Sequence, residues 1–214
     1  MIPDSIKEVL RRETENSPVT EFEGDEGGKY PYTILPMESF ALPEYFSAIR
    51  EGLKIMLKDE IEKADAILSI EAKAYLITTS LAEEFNLPHI AVRKRDYRIK
   101  DQVVIKREKK KHRKAYAGSE NLYCVGLNKL KELNLKRILI VEDMISGGGT
   151  LLGTIKAIED EGFEIAGIGT VYERGDGVKK INKAGYEAKG LMRLEIEGDK
   201  RENWRPVVTG FYGD

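Results

Sequence analysis

Apolar positions along the chain change their period several times. Ile6, Val9 and Leu10 share a helical face behind Asp4 and Ser5, either of which can cap, so the spacing predicts a helix over 4–15. Asn16-Ser17-Pro18, Gly24, Gly27-Gly28 and Pro31 then break the pattern and predict a loop or short hairpin. A second helix is expected from about Pro43, a residue tolerated in a first turn, with Phe46, Ile49, Leu53 and Met56 or Leu57 on its apolar face. From there short apolar runs alternate with helical stretches. Strands are predicted over 66–70, 90–92, 121–125, 137–141, 165–171 and 189–196, and helices over 74–85, 127–133, 150–161 and 177–184. Strands alternating with helices imply βαβ units, hence an α/β fold whose central, mostly parallel sheet carries helices on both faces. The expected organisation is an N-terminal helical region over 1–45, a core over 46–200 and a C-terminal tail over 201–214. Sheets of this kind bind ligands beyond the C-terminal ends of their strands, so the loops after Ile70, Val92 and Val141 are where chemistry is expected.

The 214 residues suffice for one real core. Charged residues make up 34% of the chain, against about 25% in an average soluble domain, so the surface is unusually ionic. The single Cys124 excludes an intramolecular disulfide and any multi-cysteine metal site. With only His89 and His112 besides, no protein-held metal centre is expected. No run of about 18 apolar residues predicts a membrane span, and the N-terminus has no apolar signal core, so the expected location is cytoplasmic. The formal net charge of −2 does not predict nucleic-acid binding. It hides an asymmetry: residues 93–114 carry twelve Lys or Arg against three acids, a net of +9 that leaves −11 for the remainder. That segment suits an anionic ligand or partner.

The most informative stretch is Ile138-Leu139-Ile140-Val141-Glu142-Asp143-Met144-Ile145-Ser146-Gly147-Gly148-Gly149-Thr150. A buried strand delivers two adjacent carboxylates, Glu142 and Asp143, at its expected exit, and a glycine loop then enters a helix. Successive backbone N–H groups of Gly147, Gly148 and Gly149 can turn toward one point, the helix terminus adds about half a positive charge, and Ser146 and Thr150 add hydroxyls. That is a phosphate cradle. A Walker A loop is excluded because no lysine precedes Thr150, and a dinucleotide fingerprint fails at Gly167-Ile168-Gly169, where Tyr172 takes the third glycine's place. Carboxylates just before the cradle would repel a pyrophosphate but accept hydrogen bonds from sugar hydroxyls. The pair of features describes a ribose 5-phosphate.

This segment resembles the signature of the type I phosphoribosyltransferases, departing clearly only at Gly147, where threonine is usual. Ser69-Ile70-Glu71-Ala72-Lys73-Ala74-Tyr75 is similar to the diphosphate-holding loop of the adenine-using members, with Lys73 in place of an arginine, which keeps the charge but not the bidentate geometry. Val92-Arg93-Lys94-Arg95 is similar to a strand end of the purine-using members. The resemblance covers about residues 64–197. It implies transfer of a phosphoribosyl group from 5-phosphoribosyl 1-diphosphate (PRPP), with Mg²⁺ bound mainly through the donor. It also implies a ribose site at Glu142 and Asp143, a 5-phosphate site at Ser146–Thr150, and a pyrophosphate site at Glu71, Ala72, Lys73, Arg93 and Lys94. A mobile loop that includes Lys111, Lys114 and Tyr116, an N-terminal hood over the base, and a homodimer are further implications.

Hypoxanthine/guanine enzymes usually carry an aspartate where this chain has Ser146, whereas adenine enzymes carry a small residue. With Glu71-Ala72-Lys73, this favours adenine as acceptor and AMP as product, the alternatives being hypoxanthine/guanine or orotate. Tyr116-Ala117-Gly118-Ser119 is also similar to the purine operon repressor, a regulator on the same fold. A PRPP-sensing regulator without turnover is therefore the reading from another class, although the first 45 residues look too small for a winged helix.

Overall fold

The computed structural model describes residues 1–23, 29–36, 42–100, 102–106 and 121–214, with backbone alone at 22–23 and 29–30. Helix α1 (Asp4–Glu15) is followed by an antiparallel hairpin of β1 (Val19–Glu23) and β2 (Lys29–Thr33). Next come α2 (Pro43–Met56), with its proline in the first turn, and the short α3 (Lys58–Lys63). The alternating region then runs β3 (Ala66–Ile70), α4 (Ala74–Glu84), β4 (His89–Arg93), β5 (Val103–Lys106), β6 (Asn121–Cys124) and α5 (Leu127–Glu132). It continues with β7 (Arg137–Ile145), α6 (Gly149–Asp160), β8 (Glu164–Glu173), α7 (Gly177–Lys183), β9 (Ala188–Glu197) and β10 (Arg205–Phe211).

The last eight strands form one sheet in the order β10-β9-β8-β7-β3-β4-β6-β5. The five central strands are parallel, and β10, β6 and β5 join antiparallel at the two sides. The two sheet faces carry separate cores. Ile67, Leu139, Val141, Val171 and Leu191 pack against α2 and α4, while Leu68, Ile138, Ile140 and Ile168 pack against α5 and α6. All five residues of β3 are buried, as a strand covered on both faces requires.

Three expectations change. Strand β7 does not end at Val141 but continues through the acidic pair to Ile145, because β8 pairs with it as far as Ile145↔Glu173. Strand β5, whose pattern is short and half exposed, carries no alternation strong enough to predict. The segment expected as a tail supplies β10, so the sheet does not stop at residue 196.

The N-terminal region does more than cover one end. Arg11 donates to the Val208 carbonyl at 2.6 Å, and the Val208 N–H donates to Glu15 at 3.0 Å, so α1 occupies hydrogen-bonding positions along the β10 edge. A buried hydroxyl chain, Thr14 to Tyr45 to Tyr172, ties α1 and α2 to β8. Burial pushes the Tyr45 phenol up to about 12, so the chain stays neutral.

Candidate functional site

Chain order reverses beside β3: β4 lies on one side of it and β7 on the other. The loops leaving the two strands therefore diverge and open a crevice at the C-terminal edge of the sheet. Pairing of β3 with β7 stops at Leu68↔Ile140, two residues before the acids. Where the ladder stops, Glu142 takes over: its Oε1 accepts the Ile70 N–H at 2.8 Å. Glu142 is only 8% exposed. Its carboxyl is held well above the usual range, chiefly by burial and then by the charge of Asp143, against the opposing pull of the Ile70 amide and Lys94. Asp143, next along the strand, is half-buried. The pair is thus asymmetric, one carboxylate built into the sheet and one closer to solvent.

The glycine loop is shaped by a second loop. Gly148 sits at φ 74° as the N-cap of α6, a left-handed conformation that disfavours any side chain. An added methyl there would lie 3.0 Å from the Gly177 carbonyl oxygen, and one at Gly177 would lie 2.5 Å from the Ser146 carbonyl oxygen. The loops 146–148 and 175–177 are therefore in close backbone contact. Helix α6 has no acidic residue in its first turn, so its positive terminus is not neutralised from within. Ser146 and Gly149 are exposed, and Gly147, Gly148 and Thr150 half-exposed, around that terminus.

Across the crevice, the Lys94 N–H donates to the Glu71 carboxylate at 2.6 Å, joining the loop after β3 to the exit of β4. Glu71, Lys73 and Arg93 are half-buried and Ala72 and Lys94 exposed. Lys73 donates to the Tyr32 hydroxyl at 3.0 Å, so its ammonium is shared between the crevice and the hairpin. Tyr75, not singled out from sequence, donates to the Val92 carbonyl at 2.9 Å and braces β4. Its phenol is pushed up to about 12, first by burial and then by the nearby Glu71 charge, so it remains a donor. Lys111, Lys114 and Tyr116 lie outside the described residues.

Ser69 lies 2.8 Å from His89 Nε2, a spacing that suits a nucleophile and its base, but Ser69 is fully buried mid-strand. Thr78 bonds both groups, and burial lowers the His89 pKa, so the cluster is a packed neutral network. The shallow cleft at Thr79, Glu83, Asn86 and Pro88 lies at the opposite end of β4 from the crevice.

The family described as phosphoribosyl transferase domain matches residues 40–194, which include the strand, acids and loop just described. The chain belongs to the phosphoribosyl transferase domain family. Curated relatives include a hypoxanthine/guanine phosphoribosyltransferase of Ferroglobus placidus, 34% identical over 80% of this chain and 86% of that protein. Another of the same name, from Methanococcus voltae, is 31% identical over 89% of this chain and 94% of its own length. Among solved structures, an adenine phosphoribosyltransferase of Thermoanaerobacter pseudethanolicus superposes with a TM-score of 0.65 at 22% identity, covering 88% of this chain and 99% of that one. An orotate phosphoribosyltransferase of Aeropyrum pernix gives 0.56 at 12% identity, covering 89% and 92%. The fold is that of the type I phosphoribosyltransferases. Among the described residues of this family member, no helix is long and apolar enough to cross a membrane.

Proposed function

We propose that the protein transfers the 5-phosphoribosyl group of PRPP to a purine, releasing pyrophosphate, and that the acceptor is a 6-oxopurine, hypoxanthine or guanine. The single observation that carries the acceptor is the run of relatives bearing that name at 30–34% identity over most of both chains. The adenine enzymes are neighbours at 15–22% identity, a range that speaks to fold. The adenine expectation survives as a second reading because Ser146 offers no carboxylate beside the cradle.

In this reading Asp143 and Glu142 accept hydrogen bonds from the ribose hydroxyls and favour the positive charge that grows on the ring as the C1–O bond stretches. Amides of residues 146–150 hold the 5-phosphate, turning remote binding energy into positioning of C1. Glu71, Ala72, Lys73, Arg93 and Lys94 face the departing diphosphate. The residues present suit a cation that arrives chelated by the donor: two carboxylates on one strand, and no cluster of three metal-binding side chains among the described residues. Mg²⁺ so carried would neutralise diphosphate charge. Closure by Lys111, Lys114 and Tyr116, and a homodimer, complete the reading.

The deciding experiment incubates the protein with PRPP, Mg²⁺ and adenine, hypoxanthine, guanine, xanthine or orotate, and follows nucleotide formation. Turnover of hypoxanthine or guanine above adenine is expected. Adenine alone would install the second reading. Tight PRPP binding with no turnover would favour the regulator. Sedimentation tests the dimer.

A further inference from the structure

The carbonyl of Val92, last residue but one of β4, is held from two sides. The Glu71 N–H, at the head of the loop after β3, donates to it at 2.8 Å. The Tyr75 hydroxyl, from the first turn of α4, donates to it at 2.9 Å. A carbonyl oxygen has two lone pairs, so this one is saturated by the two ends of the segment 71–75. The same segment takes a second grip on the exit of β4, where the Glu71 carboxylate accepts the Lys94 N–H at 2.6 Å. Arg93 therefore lies between two backbone positions that are both tied to the loop carrying Lys73.

We infer that the Tyr75 hydroxyl is a positioning group for the departing diphosphate: it sets the spacing between Lys73 on the loop and Arg93 and Lys94 at the exit of β4. The inference rests on the phosphoribosyl-transfer reading above and adds to it a residue that touches no substrate. Cations carried on two separate segments serve one diphosphate well only where their separation matches the distance between its phosphates. A single hydrogen bond contributes modestly to folding, but this one joins the two cation-bearing segments.

The ring and the hydroxyl of Tyr75 have separate partners. The ring stands edge-on to His89, with centroids 5.9 Å apart and planes at 81°. His89 is itself fixed by Ser69 at 2.8 Å and Thr78 at 3.0 Å. A packed cluster that the transfer reaction does not use thus holds the ring, whatever the hydroxyl does. The charges of Glu71, Arg93 and Glu142 all act on the phenol, so its hydroxyl lies on the crevice side of α4. Removing the oxygen alone leaves ring, stack and cluster in place and takes away only the tie to Val92.

The test compares the full chain with Tyr75→Phe and with Thr14→Val, which cuts the buried hydroxyl chain between α1 and α2, outside the crevice. Binding of magnesium pyrophosphate is followed by calorimetry, initial rates give kcat, the PRPP KM and the purine KM, and melting is recorded for each protein. Tyr75→Phe is expected to weaken pyrophosphate and raise the PRPP KM about fivefold each, the size of one lost hydrogen bond, with kcat and purine KM within about twofold. Thr14→Val should lower melting and leave pyrophosphate affinity unchanged. If Tyr75→Phe keeps the wild-type PRPP KM and pyrophosphate affinity, or if Thr14→Val weakens pyrophosphate equally, the phenol serves stability alone and the inference is overturned. A wild-type chain that binds neither PRPP nor pyrophosphate would sink the phosphoribosyl-transfer reading itself, and the inference with it.

Discussion

At the proposed donor end of the crevice, residues 138–150 supply strand, acids, loop and helix terminus in one unbroken run. Across the crevice mouth, by contrast, the hairpin is held at Pro31 by Arg174 after β8 and at Tyr32 by Lys73 after β3, partners as far as 143 positions apart. The first arrangement is fixed by local backbone geometry and a sheet terminus. The second depends on a two-stranded hairpin, marginal by itself, being held down by a few side chains. In such a molecule the hairpin and its anchors can change while the strand, acids and glycine loop stay intact.

Substitutions separate the two ends. The largest effect is expected at the donor end from Gly148→Val, which forces a branched side chain into a left-handed φ and against the Gly177 carbonyl. Displacing the loop should raise the KM for PRPP about a hundredfold, measured by initial rates, with the base KM less affected. An unchanged PRPP KM would remove the loop from the phosphate site. Asp143→Asn should cut kcat at least about tenfold, roughly 1.4 kcal/mol, if its charge supports the ribose.

Glu142→Gln probes the buried half of the acidic pair and should give opposite signs for rate and stability. A carboxyl whose folded pKa lies above its ordinary 4.5 binds more protons folded than unfolded between those values, so stability falls as pH rises through that window. The glutamine keeps an oxygen for the Ile70 N–H but has no charge to bury. It should therefore melt a few degrees higher at pH 7 to 8 and turn over more slowly, and it should lose the pH dependence of melting above pH 4.5 that wild type shows. Equal melting curves at all pH values would count against a buried charge there.

The smallest effect belongs to the hairpin. Tyr32→Phe removes the hydrogen bond from Lys73 but keeps the ring, 5.8 Å from the ammonium. A loss of about 1 kcal/mol, several-fold in base KM with PRPP KM nearly constant, is expected. If PRPP affinity falls instead, Tyr32 serves Lys73 rather than the hairpin, and the division between the ends is less clean.

The same division explains what could be read from the chain alone. Glu142, Asp143 and the glycine loop are legible because strand burial, charge and glycine spacing coincide within 13 residues. Helix α1 and the start of α2 are legible from helical spacing and Pro43. The end of β7 was misplaced because its last residues are paired by β8 on one side only, a tertiary fact with no local signal. Strand β10 is hidden because Arg205-Pro206-Val207-Val208 lacks neighbours that mark it as part of a sheet, and its pairing with β9, itself legible over 189–196, forms only on folding. Val171-Tyr172-Glu173-Arg174-Gly175-Asp176-Gly177 is similar to purine- and orotate-using members alike and so does not settle the base. Tyr32 carries no pattern by itself, and that the hairpin is tied to both Lys73 and Arg174 comes only from the fold.

Helix α1 has a consequence for handling the protein. Its Arg11 and Glu15 stand in for the strand that β10 lacks at Val208, while Lys7 and Arg11 cover the Phe211 ring at 5.7 and 5.3 Å. Trimming the first fifteen residues to obtain a shorter version would uncover a sticky border with open amide and carbonyl valences, and such a fragment should self-associate or precipitate even with its crevice intact.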